Sequence, residues 1–217
     1  MELVKLKGSS KRSKKPQILT PEKFQELVSI LREPYKTMVI VAMCTGMRVS
    51  EILALRWEDI ALEAGSMMVL QGVVNGRIGK VKTEASNDEV PIDPAFAQIL
   101  LSQKGDQTTG LVFQSPVTGG CFYAGMIQQK VLIPAARKIG LSGIGWHTFR
   151  HTYRSFLDET GAPIGVQQKL MRHSNVATTM NVYGNASLPS KQKANSKVVQ
   201  MVIPQNDAKS EPLEATG

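Results

Sequence analysis

Seven consecutive apolar residues, Met38–Cys44, stand between Glu33-Pro34 and Gly46. A helix over Tyr35–Cys44 that carries this run has no polar face, so other elements have to cover it. Gly46 supplies the glycine that commonly ends a helix in the left-handed conformation. The run is far shorter than the roughly 20 residues that span a bilayer. It therefore points to a globular domain assembled around a largely buried helix. A chain of 217 residues, 42% hydrophobic and 20% charged, has the composition for this and excludes wholesale disorder. No charged-then-apolar leader opens the sequence, and two cysteines, Cys44 and Cys121, cannot build a disulfide framework. These features read as a reduced, cytoplasmic protein.

The elements around that helix follow from pattern. Thr20 as N-cap and Pro21 at the first helical position start a helix that runs through Phe24, Leu27 and Leu31. A third helix begins near Arg48 and turns Val49, Ile52 and Leu53 inward. Between Ser66 and Ile92 the period changes. Met67–Leu70, Val73 and Val74 precede the tight-turn pair Asn75-Gly76, and Gly79–Lys82 and Glu89–Ile92 supply further short strands. Helical pattern returns at Pro94–Gln103 and Tyr123–Ile139, then in three short helices near His147–Glu159, Pro163–Arg172 and Val176–Tyr183. The expected class is mainly α with a small antiparallel β-sheet, an α+β domain.

Charge divides the chain into three. The net +8 is concentrated in residues 1–16, where Lys5, Lys7, Lys11, Arg12, Lys14 and Lys15 face only Glu2, a net of +5. Residues 17–186 carry 16 cations and 14 anions. Residues 187–217 form a polar tail interrupted by Val198, Val199, Met201, Val202 and Ile203. A basic arm suits the phosphate backbone of nucleic acid, with a solvated tail as the alternative.

The three histidines, His147, His151 and His173, all lie toward the C-terminal end of the domain. His147 and His151 are four apart, a spacing that can hold zinc, but no glutamate lies between them and Arg150 would place a cation among the ligands. No metal is expected. Phe149, Tyr153, Phe156 and Leu157 make the apolar stripe of this helix, which assigns His147, Arg150 and His151 to another face. A guanidinium fork beside imidazole donors makes an anion site.

Four stretches resemble the signature boxes of the tyrosine recombinases, the phage integrase family. Thr45-Gly46-Met47-Arg48-Val49-Ser50-Glu51 through Leu55 resembles the first. Lys82-Thr83, with Ser86 and the strand Val90-Pro91-Ile92, resembles the sheet lysine box. His147-Thr148-Phe149-Arg150-His151-Thr152-Tyr153 resembles the H-x-x-R box. The stretch from Arg172-His173-Ser174 to Val182-Tyr183 resembles the box that ends in the nucleophilic tyrosine. The four occur in the family's order over about residues 18–186.

The resemblance implies the recombinase catalytic-domain fold and DNA strand cleavage and rejoining through a 3′-phosphotyrosine, with no cofactor. It assigns Tyr183 as nucleophile, Arg48 and Arg150 as phosphate clamps, His173 and His147 as further catalytic groups and Lys82 as general acid. Glu51 and His151 are supporting residues. It implies double-stranded DNA as partner and self-association on DNA as a tetrameric synapse. The basic arm, with Lys11, Arg12, Lys14 and Lys15 as DNA contacts, resembles an inter-domain linker, so the chain reads as a catalytic unit without the family's core-binding domain. The apolar tail residues resemble a segment that docks on a neighbouring catalytic domain; packing on its own domain is the alternative. Arg172 stands where the box commonly has glycine. Two rival activities share the pattern: a type IB topoisomerase-like nicking and sealing enzyme, and a catalytically silent DNA-binding module.

Overall fold

The buried helix is the hub of the fold. The computed structural model describes residues 16–74, 76–80 and 89–172. Helix α1 (Pro21–Ile30) starts as expected, with the Thr20 hydroxyl accepting from the Lys23 N–H at 3.3 Å and Pro21 in the first turn. Helix α2 (Tyr35–Thr45) follows, and Thr37 to Met43 and Thr45 are all buried, while Cys44 is exposed. It is covered by α1, α3 (Val49–Ile52), α4 (Pro94–Lys104) and, over the greatest length, α7 (Trp146–Glu159). Phe149 of α7 has no exposed surface and meets Phe24 and Trp146 edge to face at 6.4 and 6.1 Å between ring centres. Complete burial of such a side chain is worth about 1.5–3 kcal/mol.

The expected sheet is two separate sheets. One holds β1 (Ile60–Ala61), β2 (Ser66–Met68) and β5 (Glu89–Pro91) in the antiparallel order β1-β2-β5. Its register places Ile60, Met67 and Val90 in one row, and all three are buried. The other is the hairpin of β3 (Gln71–Val74) and β4 (Arg77–Lys80), in which Val73 pairs with Ile78. Strand β3 leans on α3, while Arg77, Ile78 and Gly79 of β4 are exposed. Strand β1 is too short for its alternation to register in sequence, which explains why it was not expected.

The helix expected over Tyr123–Ile139 is observed as α5 (Ala124–Ile127), a π-helical stretch at Gln128–Leu132 and α6 (Ile133–Lys138). Pro134 has no N–H to offer a preceding carbonyl, and the wider turn lies just before it. Helix α8 (Ile164–Leu170) is two residues shorter at its C-terminal end than expected, because Met171 and Arg172 leave the helix in a turn. The helix expected at Val176–Tyr183 lies outside the described residues. No helix among the described residues is long and apolar enough to cross a membrane.

Candidate active site

Three separate parts of the chain meet at the C-terminal end of α2. Gly46 ends that helix with φ +60°, in the left-handed region that favours glycine. A methyl group there would lie 2.3 Å from Cδ1 of Tyr153, so only glycine lets α7 approach this closely. The Gly46 carbonyl is thereby free to accept from Nη1 of Arg150, while Nη2 of the same guanidinium donates to the carbonyl of Met171 beyond α8. Arg150 thus ties α7 to residues 104 and 21 positions away.

The sequence places Arg150 on a face of α7 apart from the apolar stripe. That face is covered too: Arg150 is only 8% exposed, because the end of α2 and Met171 lie against it. Burial first, then repulsion from Arg48 and Arg172, lowers the guanidinium from its ordinary value to about 9, against the opposing pull of Glu51 and Tyr153. It remains a cation at neutral pH.

Arg48 is built differently. It caps α3, where the Glu51 carboxylate reaches back to the Arg48 N–H at 2.9 Å, as in half of a capping box. The other Glu51 oxygen accepts from Nη1 of Arg48, also at 2.9 Å. The Arg48 side chain is 43% exposed and that of Glu51 only 3%. Its guanidinium is therefore tethered at one end and presented outward.

Glu51 has a second cationic partner, Nη2 of Arg172 at 2.6 Å. Burial by itself would raise the Glu51 carboxyl. The Arg172 charge, then the N–H and guanidinium of Arg48, outweigh that and hold it below the usual carboxylate range. Three guanidinium groups and one carboxylate leave this cluster with an excess of positive charge, the condition for binding an anion. In the sequence Arg172 stands out only as an arginine at a glycine position. Its ion pair joins residues 121 apart, and no local pattern carries that signal.

His147 is exposed and His151 half-buried, and their rings meet edge to face with centres 6.3 Å apart. Arg48, Glu51 and Arg150 are therefore brought together, with His147 and His151 on the same helix as Arg150. Lys82, His173, Tyr183, Lys11, Arg12, Lys14 and Lys15 lie outside the described residues.

Comparison with known proteins agrees with this architecture. Residues 17–188 match the model of the phage integrase family. A tyrosine recombinase XerC-like protein of Caldanaerobacter subterraneus subsp. tengcongensis is 28% identical, covering 74% of this chain and 47% of its own. Tyrosine recombinase XerA of Pyrococcus furiosus is also 28% identical, covering 76% of this chain and 56% of its own. The chain thus spans about half the length of these relatives. Among solved structures, the Tn1549 transposon integrase in complex with transposon right end DNA superimposes with a TM-score of 0.72 at 20% identity, over 88% of this chain and 69% of that one. The catalytic domain of bacteriophage HP1 integrase does so with a TM-score of 0.60 at 19% identity, over 88% of this chain and all of that one. The family match takes in every box from Thr45 to Tyr183, and the chain belongs to the phage integrase family.

Proposed function

We propose that this chain is the catalytic unit of a site-specific tyrosine recombinase that breaks and rejoins double-stranded DNA. In the reaction Tyr183 gives up its phenolic proton to solvent and Oη attacks the scissile phosphorus; the bond from phosphorus to the 5′ oxygen breaks as the 3′-phosphotyrosine bond forms, and the 5′ oxygen departs as a hydroxyl. Arg48 and Arg150 hold the non-bridging oxygens, where negative charge gathers in the transition state. His173 is a further donor, Lys82 supplies the proton to the 5′ oxygen, and His147 opens the box that carries Arg150. Glu51 orients Arg48, and His151 supports the same box. No metal or nucleotide is required, because the bond energy is kept in the phosphotyrosine.

The observation that carries this reading is the meeting of Arg48 and Arg150. They are distant in sequence, one at the start of α3 and the other on α7, and they come together beside the buried Glu51 carboxylate, which the surrounding guanidinium groups outnumber. A solvated surface arginine needs no such support. The relatives are tyrosine recombinases by name, and the Tn1549 integrase was solved on transposon DNA. Both facts favour DNA as the substrate.

The proposal divides the chain into a basic arm over 1–16, a catalytic domain over 17–186 and a tail over 187–217. Lys11, Arg12, Lys14 and Lys15 follow the DNA backbone, the apolar tail residues dock on a neighbouring copy, and four copies form the synapse. The setting is the cytoplasm, where the DNA is. The decisive experiment traps the protein on a nicked suicide duplex and maps the attached residue. An adduct on Tyr183, lost in Tyr183→Phe while DNA binding persists, supports the assignment. DNA attached to Tyr153 or Tyr123, or no adduct at all, overturns it.

A further inference from the structure

One cation of the cluster has no part in the chemistry just described. Arg172 follows α8 with φ +49°, the one residue other than glycine with positive φ among the described residues. A Cβ is disfavoured in that conformation, so the surrounding structure has to hold it. Its side chain is 1% exposed and ends on Glu51, where Nη2 meets Oε2 at 2.6 Å. Oε2 also accepts the Arg48 N–H at 2.9 Å, and Oε1 accepts Nη1 of Arg48 at 2.9 Å.

Three donors from two distant segments therefore fix one carboxylate. The two that come from Arg48 belong to the same residue and move with it. Among the described residues, Arg172 alone anchors the carboxylate to another part of the fold. With Oε2 held in this way, Oε1 is turned toward the half-exposed guanidinium of Arg48.

We propose that Arg172 is a positioning residue for strand cleavage: by anchoring Glu51 it sets the orientation of the Arg48 guanidinium. The inference rests on the reading of Arg48 as a phosphate-binding group. It gives the arginine at this glycine position a function that justifies its unfavourable backbone. It also couples the turn that leads into His173 to the segment that carries Arg48, since Arg172 is adjacent to one in sequence and paired through Glu51 to the other.

The charged groups around Glu51 give the inference a distinctive readout. Arg48 faces it from the start of α3 and Arg172 from the turn after α8. Arg150 on α7 feels the Glu51 charge, and Tyr153 on α7 feels both Arg172 and Arg150. Burial pushes the Glu51 carboxyl up, and the Arg172 charge is the largest single influence opposing it. Removing Arg172 lets Glu51 take up a proton at higher pH, and a protonated Glu51 no longer holds Arg48 as a carboxylate does.

The test uses the full chain on a nicked suicide duplex and compares Arg172→Gly, Arg172→Lys, Glu51→Gln and the double variant Arg172→Gly/Glu51→Gln. Glycine adopts the observed backbone without strain, so Arg172→Gly keeps the turn. Its cleavage rate at neutral pH should fall about 10- to 100-fold, the scale of a misplaced catalytic group, with DNA affinity changed less than about twofold. Its rate should also fall with acid at a higher pH than in the wild type. Arg172→Lys keeps one donor and should recover most of the rate. In the Glu51→Gln background Arg172→Gly should cost little more, because the two act through one carboxylate. Wild-type cleavage and an unmoved acid limb in Arg172→Gly would overturn the inference, as would fully additive losses in the double variant. A wild-type chain that forms no adduct would instead overturn the functional reading on which the inference stands.

Discussion

Arg48 and Arg150 face the same cluster but are held by opposite means. Arg150 is enclosed by α2, α7 and the turn after α8, and its partners are the neutral carbonyls of Gly46 and Met171. Its place is set by three elements that the apolar core already fixes. Arg48 stands on a helix of a single turn, is nearly half-exposed, and is held by the Glu51 carboxylate. The enclosed cation is costly to place, since burial and two like charges lower its pKa to about 9, but it cannot drift. The exposed one costs little and depends on a tether. A rigid donor and a tethered donor should therefore fail differently when changed.

The largest effect is expected at Arg150. Arg150→Ala leaves two buried carbonyls without a donor, at about 1–3 kcal/mol each, and removes a clamp. Both thermal stability and adduct formation should fall sharply, and Arg150→Lys should recover little of the cleavage because an ammonium cannot bridge both carbonyls as the fork does. Arg48→Ala should come next. Adduct formation should drop about 10²- to 10³-fold, the scale of one lost oxyanion donor, while stability changes by about 1 kcal/mol or less. Equal destabilisation by the two alanine variants, read from denaturant unfolding, would end the comparison.

A smaller effect is expected at Glu51. Its folded-state pKa is depressed, so its contribution to stability is full above the unfolded value and is lost as pH falls through the folded one. Unfolding curves collected on the acid side of the carboxylate range should show a shallower loss of stability in Glu51→Gln than in the wild type. An unchanged slope would mean that the tether carries no net electrostatic stabilisation. The smallest effect lies away from both arginines. Deleting residues 1–16 should leave cleavage chemistry intact and make the log–log salt dependence of DNA binding less steep by about 0.9 per lost phosphate contact. An identical slope would assign that arm to solvent.

Much of this arrangement is legible in the sequence. The apolar run of α2 and the cap of α1 by Thr20 and Pro21 are local patterns, and each helix formed where its pattern placed it. The two sheets were read as one, because strand partnership depends on which edges meet and not on the strands' own residues. The enclosure of Arg150 is not legible in the sequence for a related reason. Helical periodicity identifies one apolar side, but it cannot report that a second element covers the polar side.

By itself the sequence determined the order of the boxes, the residue types they carry, the mainly helical class with short antiparallel strands, and the identity of the buried central helix. These are properties of spacing and composition, which act along the chain. Only the tertiary structure decided that Gly46 has to lack a side chain so that Tyr153 can pack on it, that Arg150 is enclosed, and that Arg172 shares Glu51 with Arg48. Those outcomes depend on burial and on charges brought together from positions as far as 121 residues apart, where Coulomb attraction and desolvation act through space and leave no periodic mark in the chain.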